Sequence, residues 1–552
     1  MMLSKNIQLL QDHILRLNER VQAVSRYPLI KRARYFSCKI DSRLINSLSD
    51  PFREINRYLQ FFSIQRSDCV VLIGGGLGYM LSEVSKLTES TIIVVEPDES
   101  LFFTSLEVLD YTLLPIDRIH FFIGHDIDQL MPFLKENWSL FFEKTLHTIF
   151  FPVQTERLES ASQLVKGIVS QFEQWLTLAI RHEMLFGERL TQNTIRNIPG
   201  ICASQGVAYL KDCFVDTPVA IVGAGASLDE TISYLRLFSE KYPIIAVDTA
   251  LHTLAQNHIK PDFIVSTDFS PHNLTHFQEL PPSFFQIPLI YEPTIYEGIL
   301  PLFSGPRFVI QTPDPLFAWI QNRIQLPDYS LPLVGMVSHT AFLLGQLTGS
   351  PNLILFGYDF GYFRQQSHTK YATNCIAIED AQWERLIRVQ SVSGSEIRTS
   401  PVLMNAKNVF EELLIHFQAT NGRVINCSKG VKIQGAPYQD PDSLLSVLPA
   451  GLKSLPHIIG VPDDLVMQRY ATVRNAWGQL QIEIQTVCEL AVAGLAHPSQ
   501  QAQYFNKIIS YTDVIVVLKR ILFKAFHTPS DDPIKQRLEA VIDAIDRVLK
   551  IN

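Results

Sequence analysis

The most suggestive chemistry in this 552-residue chain lies in three short runs. The first is Gly223-Ala224-Gly225-Ala226-Ser227, directly after the apolar Pro218–Val222. Small residues there let a ligand approach the backbone. The helix opening at Ser227 offers N–H groups and the positive end of its dipole to a phosphate. Asp229 and Glu230 oppose an anion unless they face away, and no Gly-Lys-Ser or Gly-Lys-Thr follows, which argues against an ATP-hydrolysing P-loop. The second run, Gly335–Thr340, carries Ser338 and His339 between a short strand and the apolar helix Ala341–Leu347. The third runs from Gly357 through Tyr358, Asp359 and Tyr362 to Ser367-His368-Thr369-Lys370. An imidazole in such a polar loop suits acid–base work, with an idle surface histidine as the competing reading of His368.

Asp248, Asp268 and Asp359 each follow a predicted strand. A single aspartate at such a place is commonly a turn former. Three beside a glycine turn point to a site that all three line. Metal signals are poor: His272 and His276 are four apart, but no Glu follows the first and a Pro precedes it. Asp126-Ile127-Asp128 and Asp440-Pro441-Asp442 fall away from the central strand ends and read as helix starts or caps. No metal is expected.

The elements that must position these residues alternate. Strands at Pro218–Val222, Ile244–Val247, Phe263–Thr267 and Asn352–Phe356 are separated by helices, which predicts a mostly parallel sheet covered on both faces, with ligands at its carboxyl edge. An earlier α/β unit has a strand at Cys69–Ile73, the turn Gly74–Gly78, a helix through Met80 and Val84, and a strand over 91–95 ending in Glu96, an acid placed to hold a ribose. Its spacing is closer to an S-adenosylmethionine loop than to the dinucleotide fingerprint. Leu72 and Ile73 stand where an acid usually precedes the glycines, so cofactor binding and a ligand-neutral Rossmann-like domain both remain open. Leu3, Ile7, Leu10, Ile14, Leu17 and Val21 form one helical stripe, for its own domain or a short coiled coil. A helix over 173–184 connects to the central domain. After Gln439, Leu465–Leu490, Gln500–Phe526 and Ile534–Leu549 are helical, the last opening with Ser530-Asp531-Asp532-Pro533. The expected domains are 1–172, 173–440 and 441–552.

Composition sets the class. Hydrophobic residues make up 47% and charged residues 18%, with 34 Phe and 18 Tyr, which excludes a disordered or disulfide-stapled chain. A net charge of −8 gives no nucleic-acid surface. Seven thinly spread cysteines without a Cys-x-x-Cys pair suit a reducing compartment. With no leader pattern and no run near the roughly 18 apolar residues of a membrane span, a soluble cytoplasmic protein is expected.

In order and spacing, Val222–Leu228, Val247–Leu251, Lys260–Asp262 through Ser266–Asp268, Leu355–Tyr362 with His368, and Ile425–Gly435 resemble the motility accessory factor family of bacterial flagellin glycosyltransferases. The resemblance covers the central domain, and the Gly74–Gly78 unit and helical C-terminus fit that family's layout. It implies a Rossmann-like, sialyltransferase-like GT-A-variant fold whose Gly-x-Gly-x-Ser-Leu turn cradles a CMP-sugar. It also implies transfer of a pseudaminic- or legionaminic-type nonulosonic acid to Ser or Thr of flagellin, for flagellar assembly and motility, without a further cofactor. On that basis the expected donor- and acceptor-binding residues are Gly223, Gly225, Ala226, Ser227, Asp248, Thr267, Ser338, Tyr358, Tyr362, Asn426 and Ser428. His368 is the expected base, with Asp268 and Asp359 beside it. Ala226 replaces a common proline, Ala224 offers no polar side chain, and Ser338-His339 replaces a plainer glycine-rich stretch, departures that bear on the donor. A related central domain occurs in an archaeal pterin pyrophosphokinase, which would need Mg²⁺, and a non-catalytic flagellin-binding role is the third reading.

Overall fold

A computed structural model of the chain describes every residue except 1, 33, 41, 142–143, 152–155, 313, 328–330, 332–334, 448–452, 454, 457, 459, 512, 516–517, 519–532 and 550–552. It divides into two compact units, Met1–Glu183 and Met184–Asn552.

In the first unit, two short hairpins come first: β1 (Ile30–Arg32) with β2 (Tyr35–Ser37), and β3 (Lys39–Ile40) with β4 (Arg43–Leu44). A parallel sheet follows, built from β5 (Cys69–Ile73), β6 (Ile92–Glu96), β7 (Ile119–Ile123) and β8 (Leu146–Phe150), in the order β7-β6-β5-β8. Every residue of β5 and β6 is buried, which explains their unbroken apolar runs: a parallel strand covered on both faces has no polar side. The N-terminal stripe forms two helices, Met2–Leu10 and Leu17–Ala23, because Arg16 takes a left-handed backbone (φ 52°). Leu10, Ile14, Leu17 and Val21 are buried in this unit's own core, and the Asn6 amide donates to the carbonyls of Leu106 and Leu109.

The connector expected over 173–184 is the middle of one 41-residue helix, Glu156–Arg196. Its Gly167 and Gly187 do not break it. The side chain of Asn193, in its last turn, donates to the carbonyls of Phe269 and Thr294, and that of Asn197, just past its end, to those of Pro293 and Ile295.

The second unit holds an eight-stranded, all-parallel sheet of β9 (Gln205–Gly206), β10 (Val219–Val222), β11 (Ile244–Val247), β12 (Phe263–Ser266), β13 (Leu289–Tyr291), β14 (Arg307–Val309), β15 (Asn352–Phe356) and β18 (Arg423–Asn426), in the order β18-β15-β10-β11-β12-β13-β14-β9. β16 (Ile387–Gln390) and β17 (Glu396–Thr399) make a separate hairpin. Strands β13 and β14 are three residues long and β9 two, too short to show a period in the sequence. The helices Asp463–Ala496, Gln501–Ile509 and Pro533–Leu549 share this unit's core. Trp319 meets Trp477 edge-on at 6.2 Å, and the Arg323 guanidinium pairs with Asp513 at 2.8 Å. The expected boundary at 440 therefore lies inside one compact unit. The acidic cap Ser530–Asp532 falls outside the described residues.

Candidate functional site

Parallel register brings the ends of β10, β11, β12, β15 and β18 to one edge, with Val222 beside both Ala246 and Phe356. The Gly223–Ser227 turn meets the turn after β15 backbone to backbone. The Gly225 N–H donates to the Gly357 carbonyl at 2.9 Å. A Cβ on Gly225 would stand 2.6 Å from that oxygen and from Asp359 Cγ, and Gly357 has φ +67°. At Gly225, then, the missing side chain admits the chain's own neighbouring turn.

The same contact redefines Asp359. Its buried carboxylate accepts the Ser227 N–H at 2.7 Å and the Ser227 hydroxyl. Burial pushes its pKa up to about 6 against those two hydrogen bonds. The Ser227 hydroxyl accepts from Lys429 N–H at 3.0 Å. The Ser428 hydroxyl accepts from Tyr358 N–H at 2.7 Å, and Asn426 Oδ1 accepts from Ser428 N–H at 2.8 Å. Ser227, Asp359, Asn426 and Ser428 thus brace three strand ends against one another. The N–H expected to greet a phosphate at Ser227 is already taken.

Asp248 and Asp268 stand on the expected edge without lining the cavity there. Asp248 is buried and accepts the Ser266 hydroxyl at 2.5 Å and the Thr249 N–H at 2.7 Å, and burial raises its pKa to about 6. Asp268 is exposed and closes a turn on itself, accepting Ser270 N–H at 2.8 Å and the Ser270 hydroxyl at 3.1 Å. The charges of Asp229 and Glu230 are also engaged. Asp229 accepts from the Thr369 hydroxyl and from Lys370 N–H at 3.0 Å, while Glu230 pairs with Lys429 at 2.7 Å and with Arg364.

Between these turns lies a cavity of about 120 Å³, lined by Gly223, Ala224, Gly225, Val247, Thr249, Met336, Val337, Ser338, Gly357, Tyr358, Asp359, Phe360, Gly361, Ser367, His368 and Leu403. Gly223, Gly225, Ser338, Tyr358, Asp359 and His368 are among its walls. Ala226, Ser227, Asp248, Thr267, Asp268, Tyr362, Asn426 and Ser428 are not among its walls. The helix Val337–Leu347 begins at this cavity from an extended Met336 (φ −134°) with no side-chain cap. The first N–H groups of any helix lack an intrahelical acceptor, so Val337 and Ser338 present an anion-binding start. Tyr358 is committed, its hydroxyl donating to the Ser338 carbonyl at 2.6 Å, and burial holds its pKa well above the usual phenol range. His368 Nδ1 lies 3.0 Å from the Ser367 hydroxyl. Burial, then the neighbouring His276, lowers the His368 pKa against a hydrogen bond with the Asn374 backbone, which favours the neutral ring. Thr249 and Ser367 were legible as neighbours of singled-out residues. Leu403 had no signal, because it comes from the start of the helix Pro401–Ala419.

The N-terminal glycine turn is arranged differently. Glu96 Oε2 accepts the Gly75 N–H at 2.8 Å and Glu96 Oε1 the Asp98 N–H at 3.0 Å, and burial pushes its pKa up to about 7. A Cβ on Gly76 would stand 2.7 Å from the Phe151 ring, and one on Gly74 2.8 Å from Leu158. This acid holds the turn, and the space along the glycines contains the unit's own side chains.

Among the described residues no three of His, Cys, Asp and Glu are grouped to hold a metal ion. His272 and His276 lie on the short turn Pro271–His276 with rings 5.9 Å apart, and His276 Nδ1 meets the Thr373 hydroxyl at 2.7 Å. Burial lowers the His276 pKa to about 4. Among the described residues no helix is long and apolar enough to cross a membrane.

The family model described as 6-hydroxymethylpterin diphosphokinase MptE-like matches residues 192–365, from the end of the long helix through most of the cavity. An uncharacterized protein of Treponema pallidum (strain Nichols) is 27% identical over 161 residues, 28% of this chain and 71% of that protein. The MAf glycosyltransferase from Magnetospirillum magneticum AMB-1 has a similar fold, with a TM-score of 0.55 at 17% identity over 100% of this chain and 90% of that one.

Proposed function

We propose that this chain is a cytoplasmic glycosyltransferase that moves a nonulosonic acid of pseudaminic or legionaminic type from its CMP-activated form to Ser or Thr of flagellin. The observation that carries the reading is the cavity where an uncapped helix start, a glycine backbone and the His368 imidazole meet. The departing CMP has a single phosphate, and the N–H groups of Val337 and Ser338 suit it without a cation. His368 takes the proton of the acceptor hydroxyl as its oxygen bonds to the anomeric carbon and the bond to the phosphate oxygen breaks. Asp359 holds the Ser227 turn in place, and Asp268, closed on Ser270, leaves the base role to His368. The fold likeness along the whole chain to a MAf glycosyltransferase supports this reading.

The family-model match favours a second reading, transfer of a diphosphate to a pterin, a reaction that uses Mg²⁺ to clamp its phosphates. One set of reactions separates them. The purified chain is given CMP-nonulosonic acid and flagellin, with and without EDTA, and flagellin is weighed intact. A parallel reaction contains ATP, Mg²⁺ and 6-hydroxymethylpterin and is assayed for AMP. Flagellin heavier by one or more sugars, unaffected by EDTA, and no AMP is the expected result. AMP without glycosylation establishes the kinase, and transfer abolished by EDTA overturns the metal-free mechanism. Neither product, with no nucleotide bound, leaves a flagellin-binding role.

A further inference from the structure

The N-terminal unit holds a concavity whose walls share no residue with its glycine turn. A cavity of about 580 Å³ opens between the β1–β2 hairpin and the helix Pro51–Leu59. It is an open, mainly polar groove whose arginines are exposed to solvent. Arg34 comes from the hairpin turn and Arg53 and Arg57 from the helix. Residues four apart on a helix share a face, so Arg53 and Arg57 present two guanidinium forks side by side, about 5–6 Å apart at Cβ. Tyr35 and Phe52 form an aromatic wall with ring centroids 6.2 Å apart, and the Arg34 guanidinium lies 5.0 Å from the centre of the Tyr35 ring.

What sets these charges apart is that three of them gather on one concavity. Arg20, Arg26 and Arg66 each pair with a glutamate, Arg20 also with Asp126. Arg34, Arg53 and Arg57 have no carboxylate partner among the described residues. The one acid in the wall, Asp50, opposes an anion, but it caps the helix by accepting the Arg53 N–H at 3.0 Å. Three guanidinium groups gathered in a chain of net charge −8 repel one another unless an anion lies between them. Planar forks recognise phosphate oxygens in pairs, and two adjacent forks fit two adjacent phosphates.

We propose that this cavity binds a small molecule carrying a diphosphate, independently of the reaction in the other unit. Arg53 and Arg57 each take one phosphate, and Arg34 closes on the pair from the hairpin. The test is calorimetric titration of the full chain with inorganic pyrophosphate, orthophosphate and an octaglutamate peptide at fixed ionic strength. Wild type is compared with Arg53→Gln/Arg57→Gln, with Arg53→Lys, and with Val337→Pro, which alters only the central cavity. All three arginines are exposed, and thermal melting checks that each variant is folded. Pyrophosphate should bind wild type at least tenfold more tightly than orthophosphate. The double variant should lose at least tenfold of that affinity, Arg53→Lys should fall between, and Val337→Pro should match wild type. Pyrophosphate binding that is absent, that survives the double variant, or that disappears only in Val337→Pro overturns the proposal. Octaglutamate binding more tightly than pyrophosphate overturns it as well, making the groove a peptide site.

Discussion

The two glycine turns begin alike and end differently. Each follows a fully buried parallel strand, and in each a buried carboxylate accepts a turn N–H: Glu96 from Gly75, Asp359 from Ser227. Glu96 ends the very next strand, and its turn is filled by Phe151 and Leu158. Asp359 comes from 132 residues away, and its turn rests on the backbone of Gly357, leaving a cavity beside it. A glycine turn announces that something comes close to the backbone. Whether that is a ligand or the chain itself depends on what the neighbouring strands carry.

Four measurements can break or sharpen this contrast. The largest effect is expected for His368→Ala, which should lower the rate of transfer to flagellin by about 10²–10⁴-fold with the melting temperature unchanged. Full activity in that variant would remove the base from the cavity reading. Next come the two braces. Asp359→Ala and Glu96→Ala each leave buried donors unpaired and should destabilise their own units by about 2–4 kcal/mol in denaturant titrations. Only Asp359→Ala should also weaken CMP binding; equal loss in Glu96→Ala would make the N-terminal turn part of the site.

Smaller still is Val337→Pro. Proline is tolerated at the first position of a helix, and the extended Met336 before it suits a following proline. The variant removes one N–H, so CMP affinity should fall about tenfold, roughly the worth of one hydrogen bond to a charged group. Unchanged affinity would transfer the phosphate to the Gly223–Ala226 backbone. The mildest effect is on pH dependence. Both carboxyls have native pKa values above their unfolded values of about 4, so unfolding releases a proton in that window and stability falls as pH rises. The fall should end near pH 6 for Asp359 and near pH 7 for Glu96. Asp359→Asn should remove one proton's share of the second unit's slope between about pH 4 and 6, leaving the like share of Asp248 and the opposite one of His276, and Glu96→Gln should remove one share of the first unit's slope up to about pH 7; an unaltered slope would mean that the carboxyl is not buried.

Much of the frame was legible. Cys69–Ile73 and Ile244–Val247 read as strands because burial on both faces demands unbroken apolar runs, and the C-terminal helices read from their period. The carboxyl edge followed from alternating strands and helices, which brought Gly223, Asp359 and His368 to one place. Less legible was what each polar group does. Asp248, Asp268 and Asp359 have the same type and position after a strand. One is buried on a serine of the next strand, one closes an exposed turn, and one braces another turn.

What the sequence determined by itself is local: where strands must be covered and where the backbone must turn tightly. Those properties depend on side-chain size, period and capping within a few residues. The tertiary structure alone decided that Ser227 has its acceptor in Asp359, that Phe151 lies against Gly76, and that Leu403 closes the cavity. A buried N–H must find an acceptor, but which one it finds depends on which strand lies beside it in the sheet, and the order β18-β15-β10-β11 is set by packing across the whole unit.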